Sequence, residues 1–214
     1  MASVVNFDPK STIVVATGNA HKVIEIEAIL KHVLPQFSFV ALHDLGSFDD
    51  PVEDGATFYD NAVIKARHAL DSVGCMYALA DDSGICVDAL SGAPGIYSAR
   101  YAGEHGNDKA NNKKLLEALK DVDDIHRRAH FHCSIVLIKR EDDSSVEQIF
   151  RGEGNCLGYI AHEEIGMQGF GYDPLFLPDA TQETHRSMAQ LSADEKNAIS
   201  HRRRALEDLA LKLQ

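Results

Sequence analysis

Four short stretches hold the residue types from which chemistry is built. They are Thr17-Gly18-Asn19-Ala20-His21-Lys22, Asp81-Asp82-Ser83-Gly84, Phe170-Gly171-Tyr172-Asp173-Pro174, and Lys196 with Ser200-His201-Arg202. Lysine, histidine and arginine suit an anion, adjacent aspartates a metal ion, and an aromatic beside glycine a flat ring; together they fit a nucleotide. The first stretch joins an apolar run to a helical pattern, and free N–H groups at a helix start attract phosphate. Lys22, one turn into that helix, reaches the same anion. The spacing is not that of the P-loop, G-x-x-x-x-G-K-[ST], so a capped helix with an exposed lysine explains it equally well. Asp81 and Asp82 close an apolar run, and Mg²⁺ prefers one or two carboxylates together with water and phosphate oxygens. Neighbours in an extended segment point to opposite sides. One aspartate therefore aims into a site while the other orients it or meets solvent. Glu53 and Asp54, in an acidic loop, stand available as further ligands. A solvated acidic turn is the plainer alternative.

Phe170–Pro174 has Gly166 and Gly169 close by. Glycine lets backbone approach a ligand, and an aromatic next to it can stack on a base; the plainer reading is a turn with a buried Phe. In the last helical pattern Ile199, Leu206, Leu209 and Leu213 share one face at about 100° per residue, and Arg202 lies within it. An inward arginine needs a partner, because an unpaired buried charge is costly. That partner is an acid of the fold or a ligand. Lys196 lies at the edge of the same face and His201 points elsewhere. Arg203 and Arg204 fall away to solvent or to an interface.

The elements that position these residues follow from periodicity and punctuation. Ile13-Val14-Val15 reads as a buried strand within Ser11–Ala16. A helix with Asn19 as N-cap and Val23, Ile26, Leu30 and Val33 at helical spacing runs on until Pro35. Phe37–Leu42 is the next strand and His43–Gly55 an acidic loop. Thr57-Phe58-Tyr59-Asp60 resembles a capping box opening a helix to about Ser72. Met76–Ala80 is a short strand with the acidic pair leaving its end, and Gly92-Ala93-Pro94-Gly95 is a turn. Asn107–Lys120 is a polar helix. Phe131–Ile138 and Val146–Cys156 are strands around the charged turn Lys139–Ser145. Leu157–Gly169 is irregular, Pro174–Leu177 a short strand, and Ser192-Ala193-Asp194-Glu195 a second capping box opening one last helix to about Leu213. The order β-α-β-α-β, then β-β, then α predicts an α/β fold with a mixed sheet and an antiparallel extension.

At 214 residues the chain fits one domain, or one domain with a small lobe. Its formal net charge of −12 argues against a long nucleic-acid surface, which needs a basic stripe. It leaves room for a small anion, since a few convergent cations and a metal reverse the field locally. The four cysteines, Cys75, Cys86, Cys133 and Cys156, form no C-x-x-C pair and, each beside apolar or small neighbours, read as reduced, semi-buried thiols of a cytoplasmic protein. No apolar run approaches membrane-spanning length, and Met1–Lys10 has no secretory character.

In this order the clusters resemble the inosine triphosphate pyrophosphatase family, also called non-canonical purine NTP or dITP/XTP pyrophosphatases. The likeness runs through Thr17-Gly18-Asn19-x-x-Lys22, Gly55-Ala56-Thr57-Phe58 with Asn61-Ala62, Asp81–Gly84, Gly92–Tyr101, Phe170–Pro174, and Lys196 with Ser200–Arg202. The resemblance implies an elongated α/β fold, a mixed sheet flanked by helices, with two lobes and a central substrate cleft. It implies a single domain over 1–214, a homodimer, and hydrolysis of ITP, dITP and XTP to the monophosphate and pyrophosphate, which keeps deaminated purines out of the nucleotide pool. By the same resemblance Asp82 is general base and Mg²⁺ contact, with Glu53 as second metal ligand. Ser83 contacts substrate. Thr17, Gly18, Asn19, Ala20, His21 and Lys22 hold phosphates, and Phe170, Gly171, Tyr172, Asp173, Lys196, His201 and Arg202 hold the nucleoside. The chain departs from the family pattern at Val52-Glu53-Asp54-Gly55, at Gln168 where glycine is common, and in the extra basic pair Arg203-Arg204. A pyrophosphatase for modified pyrimidine nucleotides and a nucleotide sensor without catalysis remain as rival readings.

Overall fold

The computed structural model describes residues 7–17, 20–141 and 146–214, with Ala20 and His21 given by their backbone alone. The expectations placed on Gly18 and Asn19, on the side chains of Ala20 and His21, and on the turn at 142–145 lie outside the described residues. The strands β1 (Thr12–Val15), β2 (Ser38–Ala41), β3 (Tyr77–Val87), β4 (Arg128–Arg140), β5 (Glu147–Ile160) and β6 (Phe176–Pro178) form one six-stranded sheet in the order β2-β1-β3-β4-β5-β6. β1 is parallel to β2 and β3, and β5 is antiparallel to β6. This is the mixed sheet that the element order predicts. The helices are α1 (Ala20–Leu30), α2 (Leu42–Leu45), α3 (Phe58–Val73), α4 (Asp108–Ala118), α5 (Ala193–Ile199) and α6 (His201–Lys212). Among the described residues no helix is long and apolar enough to cross a membrane.

The chain divides into two compact units. The first comprises Met1–Asp82, Ser134–Gly154 and Arg204–Gln214; the second comprises Ser83–Cys133 and Asn155–Arg203. In the first, Ala62, Val63, Ala66, Ala69 and Leu70 of α3 pack on Val14, Ala78, Ala80, Val136 and Ile138. Small residues on α3 let helix and sheet approach closely, and the excluded apolar area drives the contact. In the second, Leu115 and Leu119 pack with Ile85, Val87, Phe131, Ile160, Tyr172, Leu175 and Phe176. Phe131 meets Phe176 edge-on at 4.8 Å. The second unit also buries Arg127, 2% exposed, whose guanidinium donates to the carbonyls of Leu119, Val122, Ile160 and Ala161. These are carbonyls at the end of α4 and at the end of β5, where the chain leaves regular structure and needs outside donors.

Several boundaries differ from the periodicity reading. α1 stops at Leu30, before Pro35, and a four-residue helix, α2, opens the acidic loop. β3 does not end at Ala80 but runs through both aspartates and Ser83 to Val87. Acids can stay inside a buried strand when cations meet them, as shown below. β4 and β5 extend outward to thirteen and fourteen residues. The last helix is two helices. Ser200 takes extended backbone, φ −66 and ψ 140, and its Oγ accepts from the N–H of Arg203 at 3.0 Å. Serine is a preferred N-cap, so Ser200 starts α6 afresh instead of continuing α5. The two capping boxes stand as read: Thr57 with Asp60, and Ser192 with Glu195.

Candidate active site

In the sheet order β2-β1-β3 the connection β1-α1-β2 runs one way and β2-α3-β3 runs back past β1; with the right-handed crossover rule this puts α1 on one face and α3 on the other. Ligands of open α/β sheets bind outside the carboxyl ends of the strands at such a switch point. Val15 is level with Leu79, and the N–H of Ala16 donates to Leu79 O at 2.8 Å. Thr17 therefore leaves β1 beside Asp81. Side chains alternate along β3. Ala78 and Ala80 face α3, so Asp82 does too, and Asp81 turns toward α1. Each carboxylate meets a lysine of its own helix. Lys22 Nζ lies 3.0 and 3.2 Å from the Asp81 oxygens, and Lys65 Nζ lies 2.7 Å from Asp82 Oδ1. Asn61 donates to Asp82 Oδ2 at 3.3 Å and accepts from Gly55 N–H at 2.9 Å, tying the acidic loop to the strand. Glu53 Oε1 is 3.6 Å from Lys65 Nζ.

Both aspartates are buried, at 6% and 9% exposure. Burial pushes the Asp82 carboxyl above its ordinary range, and Lys65 pulls it back only in part. Burial acts on Lys65 in the opposite sense, but Asp82, Asp81 and Glu53 outweigh it and hold the amine above its usual value. A pocket of about 140 Å³ opens beside this pair, lined among others by Thr17, His43, Asp49, Asp50, Glu53 and Lys65. Among the described residues no group of three acid, His or Cys side chains is set to cage a metal. Asp82 and Glu53 instead converge on one ammonium. That donor set suits a hard cation that keeps most of its own water. Ser83, half-buried, follows on the strand.

The second unit gathers the aromatic loop. Tyr172 and Asp173 are buried, at 4% each, while Phe170 is 69% exposed. The Tyr172 hydroxyl donates to Ser98 O at 2.9 Å, which anchors the loop in the core. Burial raises that phenol's pKa well above its ordinary value. Asp173 accepts from Phe170 N–H at 2.9 Å and from the Lys196 amine, and Lys196 also stands 4.5 Å over the Phe170 ring. Gly169, at φ +82, is required here: a Cβ would come within 2.1 Å of Asp173 Oδ2. His201 lies flat on Phe131, centroids 5.0 Å apart. Arg202 is half-buried, as its place on the inward face predicts, and Arg203 and Arg204 are exposed.

The Ham1 family pattern matches residues 13–212. The chain belongs to the Ham1 family. A Clostridium perfringens relative named dITP/XTP pyrophosphatase is 48% identical over 201 residues, covering 92% of this chain and 94% of that protein. A relative of the same name from Escherichia coli strain K12 is 46% identical over 195 residues, 91% and 94% of the two chains. The solved structure of a HAM1 protein from Coxiella burnetii superposes with a TM-score of 0.79 at 42% identity, over 95% of this chain and 98% of that one.

Within this Ham1 chain the structure brings Lys22 and Asp81 together, and Asp82 with Glu53, in one unit. In the other it brings Phe170 and Asp173 to Lys196. Lys65 was missed in the sequence. Its signal is the spacing from Asn61, four residues earlier on α3, which puts both side chains on one helical stripe.

Proposed function

We propose that this protein hydrolyses dITP, ITP and XTP to the monophosphate and pyrophosphate. The observation that carries the reading is the pair of lysine-neutralised aspartates midway along β3, level with the carboxyl end of β1. It is joined by near-half identity, across nine-tenths of the chain, to proteins named for that reaction. Thr17 to His21 and Lys22 hold the phosphates at the start of α1, and Ser83 contacts the substrate. Asp82 aligns a water with the α-phosphorus and takes its proton. The water oxygen bonds to that phosphorus as its bond to the bridging oxygen breaks, and pyrophosphate leaves. Such chemistry rests on positioning and charge stabilisation. Asp82 and Glu53 would hold Mg²⁺, which when bound screens the triphosphate charge. Asn61 and Lys65 keep the Asp82 carboxylate oriented.

Phe170 offers its ring to the base, and Tyr172, Asp173, Lys196 and His201 support that end of the nucleoside. The N–H groups of Phe170 and Gly171 are already taken by Asp173 and Asp108, which favours Arg202 as donor to the 6-oxo group. Adenine presents an amino donor at that place, so ATP leaves a buried donor unpaired and is rejected. The protein acts as one domain, as a homodimer and in the cytoplasm; the resemblance and four free thiols support this.

The test is product identification with dITP, ITP, XTP, ATP and dUTP in Mg²⁺. Pyrophosphate and dIMP from dITP are expected. Orthophosphate with a nucleoside diphosphate rejects the cleavage site, and preferential dUTP cleavage rejects the purine assignment. Asp82→Asn should stay folded and lose about 100-fold or more in kcat; an unchanged rate removes Asp82 from the base role.

A further inference from the structure

Asp108 and Asn112 stand one turn apart on α4, and both backbone polar groups of Gly171 end on them. The Gly171 N–H donates to Asp108 Oδ2 at 2.7 Å, and its carbonyl accepts from Asn112 Nδ2 at 3.2 Å. Asn112 is 3% exposed and also donates to Glu164 Oε1 at 2.9 Å. Two acceptors fix the orientation of its carboxamide; turned over, its oxygen would face a carboxylate and a carbonyl. On the other side of the same peptide, Phe170 N–H donates to Asp173 Oδ2 at 2.9 Å, and Phe170 O accepts from Asp173 N–H at 3.2 Å. The Phe170–Gly171 backbone is thus held from two directions, with Gly171 at φ +59, while the ring it carries stays exposed. An exposed aromatic on so fully bonded a backbone is ordered before any ligand arrives, which lowers the entropy lost on binding.

We propose that Asp108 and Asn112 are positioning residues for the purine: by gripping Gly171 they hold the Phe170 ring in the attitude on which a base stacks. This rests on the reading of Phe170 as base platform. A purely local account exists for Asp108, since an acid in the first turn of a helix is favourable in itself. The two accounts order the variants differently. Asp108→Asn keeps an acceptor for Gly171 and removes the charge. Asp108→Ala removes both. Asn112→Leu removes both donated bonds while improving helix propensity.

Positioning expects Asp108→Asn to keep KM for dITP near wild type. Asp108→Ala and Asn112→Leu should raise it about tenfold, the worth of one good hydrogen bond, with kcat within about twofold. The helix account expects Asp108→Asn to behave as Asp108→Ala does and Asn112→Leu to behave as wild type; that outcome overturns the proposal. Chymotrypsin cleavage after Phe170, well below the melting temperature, reads the grip without activity. Asp108→Ala and Asn112→Leu should be cut faster than wild type and Asp108→Asn at the wild-type rate; equal rates for all four proteins also overturn it. Should wild type release no pyrophosphate from dITP, the proposed function fails, and the proteolysis still decides the grip.

Discussion

At the scale of single residues, Arg127 and Cys75 show what burial demands of polar groups. The Arg127 guanidinium serves four carbonyls from all three of its nitrogens, which takes a fork of N–H donors. Lysine offers three donors from one point, so Arg127→Lys should destabilise by about 3 kcal/mol, the scale of buried acceptors left unserved. Urea unfolding measures this, and a shift below about 0.5 kcal/mol, the range of ordinary surface changes, would contradict it. Cys75 is buried, and burial pushes its thiol from 9.0 up to about 11. The raised value means the neutral thiol is preferred by the fold. Its contribution to stability is whole below pH 9.0 and fades as pH rises toward about 11. Cys75→Ala should flatten the fall of melting temperature over that window, and Cys75 should react with disulfide reagents at neutral pH only on the timescale of unfolding. The burial of Cys75 is legible from its neighbours in sequence, but the role of Arg127 is not. Arg127 sits in a charged run, Asp123-Asp124-Ile125-His126-Arg127-Arg128, where solvent exposure is the ordinary expectation.

At the scale of elements, punctuation was more legible than length. Thr57 and Ser192 announced their helices because a capping box is local chemistry that survives tertiary context. Thr57→Ala should cost about 1 kcal/mol, seen as an equal loss in thermal and urea unfolding; no loss would mean the box adds nothing to the packed α3. The end of β3 differs from the sequence reading because two charges sit inside the strand. Asp81 and Asp82 look like a terminus until Lys22 and Lys65, 59 and 17 positions away, are brought to them. Long-range pairing of that kind has no local signal. The break at Ser200 did have one, since serine before a basic run is a good N-cap. The apolar stripe through Ile199 and Leu206 concealed it by keeping phase across the gap. The aromatic loop was read for its residue types, and the structure separates their duties: Tyr172 turns into the core and Phe170 out of it. The helix that steadies them, α4, was read only as a polar helix.

At the scale of the whole molecule, the two units are interleaved in sequence. Boundaries fall inside β3, β4, β5 and α6, at Asp82, Cys133, Gly154 and Arg203. No single cut yields a unit with its core intact, so excised fragments should unfold without a cooperative transition. The first unit depends on its last segment most directly. Leu206 and Leu209 are fully buried, Glu153 N–H donates to Asp208 Oδ2 at 2.8 Å, and a Cβ on Gly152 would lie 2.1 Å from Ala205 O. Deleting Arg204–Gln214 should abolish the wild-type urea midpoint; an unchanged midpoint would show that α6 adds nothing to that core. The docking of α6 also fixes a timetable. On the ribosome, residues 7–82 emerge early but must wait for residues 204–214 before their core can close. The unit begun second is complete in sequence at Arg203 while the unit begun first still lacks Arg204–Gln214, so a nascent polypeptide stalled short of Leu206 still shows apolar surface for chaperones to hold.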